Sequence, residues 1–70
     1  MADGPIVVHR AVGTGGRRVT LRGHFLGLAY SDVDVVEFLR RAGLPDADAL
    51  LDDPAWVTWR GGREHDYAAA

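Results

Sequence analysis

No cysteine occurs among the 70 residues, so disulfides and thiolate metal sites are both excluded. Lysine, asparagine and glutamine are missing as well, and Ser31 is the single serine. All eight basic residues are therefore arginine. That bias, together with abundant Ala, Gly and Asp, suits a GC-rich coding genome of bacterial type and says little about chemistry. No apolar run approaches the roughly 20 residues of a membrane span. The opening MADGP lacks the basic and apolar regions of a secretory signal. The expectation is a soluble, cytoplasmic chain.

Other absences narrow the function. With no Cys, and with Ser31 placed as a helix cap, the supply of nucleophiles is poor. His9, His24 and His65 lie far apart, and none has a metal-ligand spacing such as H-x3-H. Asp46, Asp48, Asp52 and Asp53 do not form a calcium loop. Counted from Asp46, the positions needing an acid, a glycine and a glutamate hold Leu50, Leu51 and Val57. Gly13-Thr14-Gly15-Gly16 lacks both G-x-G-x-x-G and the P-loop lysine, and no helix follows it. These readings point away from an enzyme, a metal, a cofactor and a small-molecule substrate.

What is present suggests one small domain. A chain of this length buries only roughly 60% of the surface that its unfolded form exposes. Its core is expected to supply about 3–5 kcal/mol net. The net charge of −2 conceals an asymmetry. Residues 1–30 carry Arg10, Arg17, Arg18 and Arg22 against Asp3, whereas residues 31–53 carry seven acids against Arg40 and Arg41. Two electrostatic sides are expected from such a distribution.

The clearest local signal is Ser31 to Pro45, which reads as an amphipathic helix. Ser31 suits the N-cap, with Asp34 at N3. Tyr30 and Val35 are spaced for a hydrophobic staple. Val35, Phe38, Leu39 and Ala42 form the apolar stripe, and Glu37 can pair with Arg41. Gly43 fits the C′ position, with Leu44 placed to touch Leu39. Asp46 is then expected to cap a short second helix through Leu51.

The flanks read as strands. Ile6 to Val12 is β-branched and extended, and Gly13 to Gly16 is a turn. Arg17 to Tyr30 reads as a hairpin turning at Gly23-His24. In that register one face collects Val19, Leu21, Leu26, Leu28 and Tyr30. The other collects Arg18, Thr20, Arg22, Phe25, Gly27 and Ala29. Ala55 to Arg60 is a last strand, with Trp56 and Thr58 on one side and Val57 and Trp59 on the other. Residues 1–4 and 63–70 read as mobile ends around a 5–62 core.

The expected fold is α+β in the order β-β-β-α-β: a three- to four-stranded, mostly antiparallel sheet with one main helix on one face. Strand four is expected beside strand one. The expected function is a small non-enzymatic protein-interaction module, a regulator or adaptor, with a protein partner or a second copy docking on it. Its expected contact residues are Arg18, Arg22, Phe25, Trp56, Trp59 and Arg60, since Trp and Arg anchor many interfaces. The alternative is a nucleic-acid-binding regulator that uses Arg10, Arg18 and Arg22 for phosphate contacts.

Overall fold

The computed structural model describes residues 4–68. It contains β1 (Ile6–Val8), β2 (Arg17–Leu21), β3 (His24–Ala29), α1 (Asp32–Arg41), α2 (Ala47–Leu50) and β4 (Val57–Trp59). The strands form one mixed sheet in the order β3-β2-β1-β4. β1 pairs antiparallel with β2, and β2 with β3, while β4 runs parallel to β1. The chain leaves β3 at one edge, passes through both helices and returns at the other edge. The fold is the expected small α+β type, with β4 beside β1 as expected. Among the described residues no helix is long and apolar enough to cross a membrane.

The helix α1 follows its sequence signals closely. The Asp34 N–H donates to Ser31 Oγ at 3.4 Å, and Asp34 Oδ2 accepts from the Tyr30 N–H at 2.9 Å. At the other end Gly43, with φ of 90°, lets the Leu44 N–H reach the Leu39 carbonyl at 3.1 Å. The Gly43 N–H bonds the Arg40 carbonyl at 3.0 Å, completing the Schellman pair. Glu37 meets Arg41 at 3.3 Å and Arg40 at 3.7 Å, both on the exposed face. Val35 and Leu39 are buried, joining Ile6, Val8, Val19 and Val57 in the core.

Two strands are shorter than the sequence suggests. β1 ends at Val8, and beyond it the His9 carbonyl accepts from the Arg17 side chain at 2.7 Å rather than from a strand. β4 is confined to Val57–Trp59, since the Trp56 and Val57 N–H groups both turn back to the Asp53 carbonyl. Asp46 does not act as a cap as expected. It sits at φ of 55° and makes no side-chain bond to α2.

The hairpin differs in a way that changes both faces. Leu21 pairs with His24, so the turn is Arg22-Gly23 rather than Gly23-His24. Both turn residues have positive φ, 50° and 86°, the primed geometry that matches strand twist. A bulge then lets Thr20 pair with Phe25 but Val19 with Gly27, leaving Leu26 as the extra residue. Side-chain parity inverts beyond that point. Gly27 and Ala29 turn toward the helix, and Leu28 and Tyr30 turn away from it. Glycine at 27 is required by the packing: a Cβ there would lie 2.6 Å from the Phe38 ring. The expected staple of Tyr30 on Val35 is replaced by the Tyr30 ring lying over Gly16 on the outer side.

Candidate functional site

Two regions carry side chains beyond the needs of the core. The first is the outer sheet face. Phe25, Leu28 and Tyr30 are 63%, 38% and 58% exposed, and all three lie on β3 or at its exit. Arg18 stands opposite Leu28, and Thr20 opposite Phe25, so cation, aromatic and aliphatic groups alternate there. His9 follows β1 and its Nε2 is 2.9 Å from Thr20 Oγ1. None of the four strands contains an acidic residue. Arg22 sits at the hairpin tip, where its N–H donates to the Pro5 carbonyl at 2.7 Å.

The sheet does not gather every expected contact residue on this face. Trp59 points to the helix side with Val57 and is half-buried, its ring 5.0 Å from His65 and 6.1 Å from Tyr67. Trp56 is half-buried against the core. Arg60 is exposed, and its carbonyl is held by Arg17. Arg10 lies across the turn at Gly61, away from Arg18 and Arg22. The three arginines of the nucleic-acid reading therefore sit at the exit of β1, on the open face and at the hairpin tip.

The second region is the end of the sheet where β1, β3 and β4 all finish. Arg17 opens β2 there and is only 1% exposed. Its five N–H groups meet five backbone carbonyls. Nε donates to His9 at 2.7 Å, and Nη2 donates to Val8 at 3.2 Å and Arg60 at 2.7 Å. Nη1 donates to Arg63 and to Asp66, both at 2.9 Å. The guanidinium also lies 5.3 Å above the Trp59 ring, within cation–π range. Burial lowers its pKa, against the opposing influence of Tyr67 and Asp66, yet a guanidinium keeps its proton at neutral pH. Arg17 is absent from the contact residues expected from the sequence. The available signal was parity: Arg17 is two residues before buried Val19 and so shares its face.

Residues 63–68, read from sequence as part of a mobile end, cross this end of the sheet as a strap. The Gly16 N–H donates to the Tyr67 carbonyl at 2.9 Å, and the Tyr67 hydroxyl donates to Asp32 Oδ1 at 2.7 Å. His65 bridges two acids, with Nδ1 2.7 Å from Asp32 Oδ2 and Nε2 2.9 Å from Asp52 Oδ1. Burial pushes the Tyr67 phenol far above its usual range, reinforced by Asp32. For His65, burial opposes the charged ring, but Asp32 and then Asp52 outweigh it and raise its pKa. His65 holds a left-handed φ of 66°, a strained backbone that these ties maintain. Residues 1–3, 69 and 70 lie outside the described residues.

The chemistry open to this cluster is limited. Both ring nitrogens of His65 face a carboxylate, so neither is left to take a proton from a substrate. The arrangement is a tie between α1, the turn after α2 and the strap. Among the described residues no group of three or more His, Asp or Glu could hold a metal ion. Shallow concavities flank the strap. One of about 510 Å³ is lined by Gly16, Tyr30, Asp32, His65 and Tyr67. Another of about 450 Å³ is lined by Arg10, Arg17, Gly61, Gly62, Arg63 and Asp66.

The raised pKa of His65 has a testable sign. Its folded value exceeds the unfolded value of about 6.5, so the tie stabilises fully below that pH and is lost as pH rises through the folded pKa. The thermal midpoint is expected to fall as pH rises above about 6.5, and His65→Gln is expected to flatten that fall. Equal slopes in the two proteins, measured by circular dichroism, would remove the tie from the account.

No protein-family model matches the chain, and no curated protein or solved structure matches it either.

Proposed function

We propose that this chain is a small non-enzymatic protein-interaction module whose docking surface is the open face of the sheet. The observation that carries the reading is the solvent exposure of Phe25, Leu28 and Tyr30 beside Arg18, on strands without a single acid. Aromatic groups and arginine dominate interface energetics because they combine large apolar area with few but directional polar contacts. The bulge at Leu26 blunts the free edge of β3 against strand addition, which favours contact across the face. Trp59 is engaged within the chain, so the surface is taken to be Arg18, Arg22, Phe25, Leu28 and Tyr30. Two copies stacked on this face would set Arg18 and Arg22 near their own counterparts, so the favoured partner is a different protein with carboxylates around an apolar centre.

The test is capture from the native cell with wild type and with Phe25→Ala/Leu28→Ala, followed by affinity measurement on the recovered partner. Loss of about tenfold or more in affinity is expected, as for hot-spot truncation. A partner that binds the double variant as well as wild type would sink the open-face reading. Recovered material that is nuclease-sensitive, and whose binding falls steeply with salt and on Arg18→Ala/Arg22→Ala, would establish the nucleic-acid alternative instead.

A further inference from the structure

At the end of the sheet, cations converge with little to neutralise them. Buried Arg17 is bonded wholly to neutral carbonyls rather than to a carboxylate. Arg10 and Arg63 line the same concavity of about 450 Å³ from its rim. Neither side chain has an ion pair or hydrogen-bond partner among the described residues. The one acid in the lining, Asp66, has its Oδ1 turned to the Ala68 N–H at 3.1 Å. Three guanidinium groups against the one Asp66 carboxylate leave the hollow net positive, and its walls focus that field into it.

The hollow is shaped by its glycines. Gly61 and Gly62 have φ of 66° and 83°, so the chain turns sharply after β4. A Cβ on Gly61 would lie 2.9 Å from Arg10 Nε and 3.1 Å from Arg10 Cβ. The missing side chain is what allows the Arg10 stem to lie flat across the turn. The floor is fixed, since Arg17 cannot turn without releasing five carbonyls.

We propose that the hollow between Arg10, Arg63 and the Gly61-Gly62 turn, floored by Arg17, is a binding site for a phosphate group, free or carried on a small phosphomonoester. Guanidinium forks match phosphate oxygens in pairs, and Arg10 and Arg63 supply two such forks from different segments. Arg17 contributes charge rather than hydrogen bonds, because its donors are spent. A volume of about 450 Å³ admits a phosphate together with a small organic body. This site is separate from the open sheet face and does not depend on that reading.

The experiment is titration of the full chain with inorganic phosphate, and separately with ribose 5-phosphate and with acetate, at constant ionic strength. Backbone amides of Gly61, Gly62 and Arg63 and the Arg10 Nε–H are followed by nuclear magnetic resonance. Saturable shifts confined to this end are expected with phosphate. Arg10→Gln and Arg63→Gln are each expected to weaken binding about tenfold or more. Arg40→Gln removes the same charge on the exposed face of α1 and is expected to leave binding unchanged, which separates a site from general attraction. Tighter binding of ribose 5-phosphate would assign the ligand to phosphomonoesters, and equal or weaker binding to free phosphate. Non-saturating shifts, shifts matched by acetate, or equal losses in all three variants would overturn the proposal. All three substitutions are at exposed positions, and thermal melting confirms that each variant is folded before titration.

Discussion

Arg17→Ala is expected to leave the chain largely unfolded at room temperature. The substitution withdraws five donors from five carbonyls at one stroke. A hydrogen bond from a charged donor contributes about 1.5–3 kcal/mol. The Val8 and Arg63 carbonyls keep a backbone donor each, from Arg60 and Asp66, so the loss is smaller than five full penalties. Even so, the total exceeds about 3 kcal/mol, against a stability of about 3–5 kcal/mol for a domain of this size. Arg17→Lys keeps the charge but offers three donors on a flexible stem instead of five in a planar fork, and is expected to fall between the two. Urea denaturation followed by Trp fluorescence measures the series, because Trp59 lies under the guanidinium. A midpoint for Arg17→Ala equal to wild type would refute the assignment of Arg17 as the hub of this end.

The second large effect is expected at Leu39. Its side chain is fully buried where α1 meets the sheet, and truncation to alanine removes apolar area and leaves a cavity. Such changes cost about 2–5 kcal/mol, again comparable with the whole stability. Val33, nearly two turns earlier on the same helix and on another face, is 75% exposed. Val33→Ala is expected to stay within about 0.5 kcal/mol of wild type. The pair of melts therefore tests which face of α1 is buried. Similar losses at the two positions would mean that the helix is rotated from the orientation described.

The contrast between α1 and its surroundings shows what could be read in advance. Cap, stripe, ion pair and Schellman turn are interactions within a few residues, so each leaves its mark at a fixed spacing. The bulge at Leu26 leaves no such mark, because alternation of apolar residues continues plausibly through Leu26, Leu28 and Tyr30 in either parity. What decides it is Phe38, which needs the bare backbone of Gly27 beneath its ring. The candidate sites were legible to different degrees for the same reason. Arg18 and Phe25 could be placed on the outer face from strand alternation alone. His65 reads as an unremarkable tail residue, since Asp32 and Asp52 are 33 and 13 positions away and meet it only through the tertiary fold. Arg17 was hidden by the ordinary preference of arginine for water, although its parity with Val19 placed it inside.

The reach of Arg17 also sets an order of events during synthesis. Its acceptors include the carbonyls of Arg63 and Asp66, which follow it by 46 and 49 residues. The hairpin and α1 close short loops and can form as soon as their residues leave the ribosome. The parallel pairing of β1 with β4, and the five-fold capture of the guanidinium, must await residues 57–66. A fragment cut before Arg63 lacks two of the five acceptors of Arg17 and is expected to be looser and more protease-sensitive than the full chain.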